Sequence, residues 1–376
     1  MRKFSRSTWL WLTLLMASVG AGLYHSRVLA KAPGVDQRGA APVFQVDPFW
    51  PKTLPNNWIL GPVSGIAIDS RDHVWIAQRP TELAPDERGA AATPPTSECC
   101  IPAPPIIEFD PAGNVMQAWG GPGAGYEWPK REHGLFVDAR NNVWLSGAGD
   151  KDAQVLKFTT TGKFLLQIGK YGQTLGSNDR NTLGKPSSIG VDVTTNEVFI
   201  ADGEVNHRVI VFNADTGAYK RHWGAYGKVP DDKAVVKYDP TKPPSAQFGD
   251  VAVHCVRLAK DGLVYVCDRV NNRIQVFRRD GTFVKEVVVA KNTLGLGSVW
   301  DVNLSPDERF LYVADGVNKK VWILTRDDLA IVGSFGHGGR NAGQFYWVQA
   351  LAVDSRGTIY TAEVSEGKRV QKFVKQ

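Results

Sequence analysis

Several features are missing from this chain of 376 residues, and each absence closes off a class of function. No block of like charge, no heptad pattern and no Lys/Arg tract runs through the body of the sequence, which removes coiled coils and charged tails. The net charge of +6 looks basic, yet Arg2, Lys3, Arg6 and Arg27 all lie in the first thirty residues. Without those four the charge is +2, too small to imply nucleic acid. There is no glycine-rich dinucleotide loop, no haem motif and no trustworthy Ser-His-Asp order, so no nucleotide cofactor is expected. The one long apolar run, Trp9 to Tyr24, is short for a membrane span, which needs about 20 residues.

That run, with Arg2, Lys3 and Arg6 before it and Val28-Leu29-Ala30 after it, reads as a secretory signal over residues 1–30. An uncleaved N-terminal anchor is the alternative and would be the only membrane attachment. Either way the body is exported, to a periplasm or the outside, where disulfides persist. Cys255 and Cys267 flank the Lys260-Asp261-Gly262 turn symmetrically. They should therefore face one another in a hairpin, either bridged or as buried thiols. Cys99 and Cys100 are adjacent, and a vicinal disulfide between them would make a rigid hook.

What is abundant is repetition. Six segments share one pattern, a β-branched or aromatic run ending in a small residue and often an acid: Val74-Trp75-Ile76-Ala77, Val143-Trp144-Leu145-Ser146, Val198-Phe199-Ile200-Ala201-Asp202, Val264-Tyr265-Val266-Cys267-Asp268, Leu311-Tyr312-Val313-Ala314-Asp315 and Ile359-Tyr360-Thr361-Ala362-Glu363. Their first residues are spaced 69, 55, 66, 47 and 48 apart. Periods of this size with several short strands per unit predict an all-β, six-bladed propeller over residues 60–376. The sixth copy ends after its third strand, while an orphan strand-like segment, Val43-Phe44-Gln45-Val46, stands upstream of the first. That segment is expected to complete the last blade and close the ring. Two stretches fall outside the repeat, 80–105 and 228–246, and both are predicted to emerge on one face. Long loops on one face of a rigid scaffold are where binding sites gather.

Aligning the copies places Ser64, His133, Ser188, His254, Asp301 and Gln349 ten residues before each landmark, at the starts of the channel-lining strands. An extra residue in the turn after Asp301 would bring Trp300 into that register instead. Two imidazoles on alternate blades, with Asp301 and Gln349 nearby, are candidate ligands for zinc or another divalent metal. Without metal they would be hydrogen-bonded across a wet channel. Five residues after each landmark the alignment gives Arg79 and Arg269 in equivalent positions. Their planar forks suit a carboxylate.

The chain resembles the NHL-repeat propellers, and within them the peptidyl-α-hydroxyglycine α-amidating lyase family. The resemblance runs through Val63-Ser64-Gly65-Ile66-Ala67-Ile68-Asp69, His133-Gly134-Leu135, Val198 to Gly203 and Asp268-Arg269-Val270-Asn271-Asn272-Arg273-Ile274-Gln275. It implies two zinc ligands at His133 and His254 and two substrate-binding arginines at Arg79 and Arg269. The family's third histidine is Gln349 here, its catalytic tyrosine is Glu204, and an acidic calcium ligand is Ala350. Glu204 is a candidate replacement base and Asp301 a candidate replacement ligand. Those departures favour a ligand- or partner-binding propeller, acting on a small anion, a peptide C-terminus or a protein at the loop face, as a monomer. A metal-dependent amidating lyase releasing glyoxylate is the alternative.

Overall fold

A computed structural model of the chain describes residues 40–251 and 253–376. The proposed leader lies outside the described residues. Residues 41–376 form one compact unit of six four-stranded antiparallel sheets. The first blade comprises Val63–Ile68, Val74–Gln78, Ile106–Phe109 and Val115–Trp119. The second comprises Glu132–Val137, Asn142–Gly147, Gln154–Thr159 and Phe164–Gly169. In the third, Pro186–Asp192 leads to Glu197–Asp202, Arg208–Asn213 and Tyr219–Trp223. Val253–Leu258, Leu263–Asp268, Arg273–Arg278 and Phe283–Val288 build the fourth. The fifth runs through Asp301–Leu304, Phe310–Asp315, Lys320–Thr325 and Ile331–Phe335.

The sixth blade takes three strands from the end of the chain, Val348–Val353, Ile359–Glu363 and Arg369–Lys375. Its fourth strand is Phe44–Asp47, which pairs antiparallel with Arg369–Lys375 from Phe44↔Lys375 to Asp47↔Lys372. The six-bladed ring therefore closes through an N-terminal strand. The Phe44 ring packs on Tyr312 and Phe335 of the fifth blade at centroid separations of 5.5 and 5.0 Å. Trp50 then reaches Phe109 of the first blade and Tyr360 of the sixth. One short segment thus staples three blades.

Apolar residues do not gather at one centre. They form six clusters, each shared by two neighbouring blades, because every strand is flanked by a sheet on both faces. This is why the landmark strands are apolar at consecutive positions instead of alternating. The Cys255–Cys267 pair is a disulfide across the hairpin of the fourth blade, with Cα atoms 4.8 Å apart. Cys99 and Cys100 are joined to each other in the first insertion. That insertion contains two short 3-10 turns and a strand, Ile101–Pro102, that pairs in parallel with Trp58–Ile59.

The acids that end the second strands have a positioning role. Asp202 binds Arg208 at 2.9 Å and accepts the Gly184 amide at 2.6 Å. Asp268 binds Arg273 at 2.6 Å and accepts the Gly249 amide, while Glu363 binds Arg369 and the Tyr346 amide. Each carboxylate is fully buried between a cation and a main-chain donor, where a missing partner would be costly. Each thereby fixes the loop that leads into an inner strand, and so fixes the channel mouth.

Among the described residues, no helix is long and apolar enough to cross a membrane.

Candidate functional site

The mouth of the channel is built on β-bulges. In the first, third, fourth and sixth blades, Ser64, Ser187, His254 and Gln349 are each skipped by the pairing of the inner strand with its neighbour. In the second blade His133 and Gly134 together oppose one residue. A bulged residue is re-aimed out of the sheet, here into the channel. One residue from each blade, Ser64, His133, Ser187, His254, Trp300 and Gln349, is among those lining a small cavity of about 20 Å³ at this level.

Two positions differ from the sequence alignment, which places Ser188 and Asp301 in this ring. The turns between the first two strands explain the slip. Residues 192–197 separate Val191 from Val198 and 305–310 separate Leu304 from Leu311, one residue more than 138–142 between Val137 and Val143. Ser187 and Trp300 therefore take the ring positions. The Asp301 carboxylate also borders the cavity, but it faces the neighbouring blade. It accepts the Leu351 amide at 3.0 Å and the Val302 amide at 2.8 Å and lies 3.5 Å from Arg257. Burial pushes its pKa up. It does not join the imidazoles, and we correct its assignment as a metal ligand accordingly.

The two histidines do meet, with ring centroids 5.0 Å apart. His133 Nδ1 lies 2.8 Å from the Ser187 carbonyl and His254 Nδ1 lies 2.5 Å from the Trp300 carbonyl. A carbonyl only accepts, so each Nδ1 carries the proton and each neutral ring turns a bare Nε2 lone pair to the channel. Burial first, then nearby Arg79 and Arg269, hold both imidazoles well below the usual histidine range. Gln349 Nε2 stands 3.2 Å from both Nε2 atoms. Its amide has two N–H donors and satisfies both lone pairs at once.

Glu204 follows Gly203, where a side chain would collide with the Val253 main chain at 2.4 Å. That close approach brings Glu204 Oε1 to 3.7 Å from His254 Nε2 and 3.4 Å from Arg269. Sequence placed Glu204 as a base; the structure places it in a group with His133 and His254 whose ligand atoms lie within 4.8 Å of one another.

The arginines complete the site. Arg269 is buried with its guanidinium 4.4 Å from the Trp300 ring centre, and its Nε has no hydrogen-bond partner among the described residues. Arg79, also buried, donates from Nε to the Glu132 carbonyl at 2.7 Å and lies 3.8 Å from Glu82. Burial and Arg131 push its pKa down to about 10. Burial likewise lowers Arg269. Two buried cations with weak compensation make an electropositive mouth. Trp300, which both stacks on Arg269 and holds His254, was visible in sequence only as the alternative register to Asp301.

A second histidine–carboxylate group, Asp69, His73 and Glu108, lies in the first blade. There His73 Nδ1 and Arg71 both bind Glu108 at 2.6 Å, and Arg71 also binds Asp69 at 2.8 Å.

The NHL repeat family matches residues 253–277, which span the first three strands of the fourth blade. NHL repeat-containing protein 3 of Mus musculus is 25% identical over 367 residues, covering 90% of this chain and 86% of that protein. Peptidyl-alpha-hydroxyglycine alpha-amidating lyase 1 of Drosophila melanogaster is 26% identical over 296 residues, covering 72% of this chain and 48% of that protein. Peptidyl-glycine alpha-amidating monooxygenase of Mus musculus is 27% identical over 242 residues, 60% of this chain and only 22% of that protein. A solved structure of a protein of unknown function from Bacteroides thetaiotaomicron has a TM-score of 0.54 at 14% identity, covering 85% of this chain and 70% of that one. The chain is thus a six-bladed propeller with an NHL-repeat match in its fourth blade and distant likeness both to amidating lyases and to NHL repeat-containing protein 3.

Proposed function

We propose that the protein is a ligand-binding propeller whose channel mouth grips a small carboxylate, such as a peptide C-terminus, between Arg79 and Arg269. The observation that carries this reading is the Arg269 guanidinium. Arg269 is 3% exposed, its guanidinium lies over Trp300, and it keeps an unpartnered Nε–H among the described residues. A buried donor on a charged group is costly to leave unmet, and a carboxylate meets it with a planar acceptor pair. Gln349 supports the same reading, because its amide already occupies the point between the histidines. The test is calorimetric titration with N-acetylglycine and with its uncharged amide. The acid is expected to bind and the amide not; equal binding of the two, or none of either, sinks the proposal.

One observation favours an amidating lyase-like enzyme as a second reading. His133, His254 and Glu204 offer three donors in one group, and both imidazoles are oriented from behind by main-chain carbonyls, as metal ligands commonly are. These residues fit a divalent ion once the Gln349 amide turns aside. Bound there, the ion would supply a Lewis acid for a substrate hydroxyl. The chain's own residues would hold the substrate carboxylate at Arg79 and Arg269, while Trp300 fixes His254. Glyoxylate release from an α-hydroxyglycine peptide, abolished by chelation and by His254→Ala, would establish this reading over the first.

A further inference from the structure

The ring at the channel mouth is laced together by side chains that each reach one blade forward. Ser64 Oγ donates to the Glu132 carbonyl at 2.8 Å, and His133 Nδ1 to the Ser187 carbonyl at 2.8 Å. Ser187 Oγ then donates to the Val253 carbonyl at 2.6 Å, and His254 Nδ1 to the Trp300 carbonyl at 2.5 Å. The lacing stops at the fifth blade, because the Trp300 indole turns back to the Gly297 carbonyl. Yet Gln349, whose amide sits between the two imidazoles, belongs to the sixth blade. Its support has to come from elsewhere.

The crossing from the fifth blade to the sixth is made one step lower. Asp301 Oδ2 accepts the amide of Leu351, two residues beyond Gln349, at 3.0 Å. Behind Asp301 stands Arg257, on the inner strand of the fourth blade. Its Nε donates to the Val302 carbonyl at 3.0 Å, and its fork lies 3.5 Å from Asp301 Oδ1. One guanidinium thus reaches from the fourth blade to the fifth, and through a carboxylate to the sixth. Arg257, Asp301 and Ala350 all border the small cavity at the histidines, where Asp301 is the one carboxylate among the described residues.

The amidating-lyase likeness implies a calcium ligand at position 350, and the residues here do not fit that ion. Calcium takes about six to eight oxygens. Ala350 has no side-chain oxygen, and both oxygens of Asp301 already accept main-chain amides. A divalent ion beside Asp301 would also meet the fixed charge of Arg257 at close range, with little water to screen the repulsion.

We infer that Arg257 is the resident cation of this channel: no calcium enters, and the guanidinium acts through Asp301 and Leu351 as the positioning residue for Gln349. Arginine suits the task, since its planar fork can serve a carbonyl and a carboxylate together. The inference is independent of which ligand the mouth binds.

The experiment has two readouts, both on the full chain. The first is the melting temperature of protein treated with EGTA, with and without calcium at about 1 mM, a level that fills extracellular calcium modules. The parent should melt at the same temperature in both. The second is the side-chain nitrogen NMR spectrum of the histidines in the parent, Arg257→Met and Arg257→Lys. Arg257→Met keeps an unbranched stem without the charge. It should shift the Nε2 signals of His133 and His254, as the Gln349 amide loses its setting, and melt about 3 °C or more below the parent. Arg257→Lys restores the charge and should return both readings most of the way. A calcium-dependent rise in the parent's melting temperature that Asp301→Asn abolishes overturns the inference. Histidine signals that stay in place in Arg257→Met also overturn it, since a merely structural arginine would lower the melting temperature without moving them. So does an Arg257→Lys protein as altered as Arg257→Met. If Arg257→Met does not fold, the parent in calcium and the histidine signals of the lysine variant decide.

Discussion

The two histidine–carboxylate groups of this propeller have similar composition and opposite states. In the first blade, Arg71 reaches both Asp69 and Glu108, and His73 completes the set. Every charge has a counter-charge, and Arg71 is 56% exposed, so water can do the rest. At the channel mouth the inventory is inverted. Two buried arginines each have a carboxylate only at a distance, Glu204 3.4 Å from Arg269 and Glu82 3.8 Å from Arg79, and two imidazoles are kept neutral. An amide stands where the lone pairs converge. The burial of the groups themselves does not distinguish them; the unmet donor and the burial of the arginines do.

The largest expected effect separates the two groups directly. Arg269→Ala should weaken carboxylate binding by about 10- to 100-fold, because a hydrogen bond to a charged group is worth about 1.5–3 kcal/mol. Titration calorimetry reads this, and Arg71→Ala should leave the same affinity unchanged. Next comes conversion of the amide clasp. Gln349→His replaces a donor by a third imidazole, and equilibrium dialysis should show zinc affinity about tenfold or more above the parent. Adding His254→Ala to it should remove the gain. The first-blade group should take up no zinc in either protein, because Arg71 already fills it.

A smaller effect follows from pH. The folded pKa values of His133 and His254 are depressed below the unfolded value of about 6.5. The unfolded chain therefore binds more protons between the two values, so these groups contribute stability above about pH 6.5 that is lost as pH falls toward the folded pKa. Melting temperature should fall on acidification below about pH 6.5, and less steeply in a His133→Ala/His254→Ala variant. A last effect is that of Arg71→Ala on stability. Arg71 is exposed but the Asp69 and Glu108 carboxylates it binds are buried, so urea unfolding should show a loss of about 1–3 kcal/mol.

The blades were legible because each landmark strand is an uninterrupted apolar run between polar turns, and the ring closure because a strand was missing at one end and spare at the other. The site was legible to within one residue. Counting back from the landmark identified His133, His254 and Gln349, whose turns have equal length. It slipped by one at Ser188 and Asp301, because the turns 192–197 and 305–310 each hold an additional residue. Bulges cannot be read from hydrophobic pattern, since a bulged residue breaks the alternation in one strand only. Glu204 was named in sequence as a candidate base, but its closeness to the histidines was hidden for another reason. It depends on how closely Gly203 approaches Val253, a through-space contact between blades that no spacing along one chain reveals.

The seam between Phe44–Asp47 and Arg369–Lys375 also sets an order of events in the making of the protein. The strand that seals the ring leaves the ribosome before the five other blades, and its partner after them. Until that partner arrives, the early strand is an unpaired edge and the sixth blade cannot exist. Contacts so distant along the chain are slow to form. The finished ring is in this sense a record of synthesis through the sixth blade: a nascent chain halted before Arg369 has at most five complete blades and no lock.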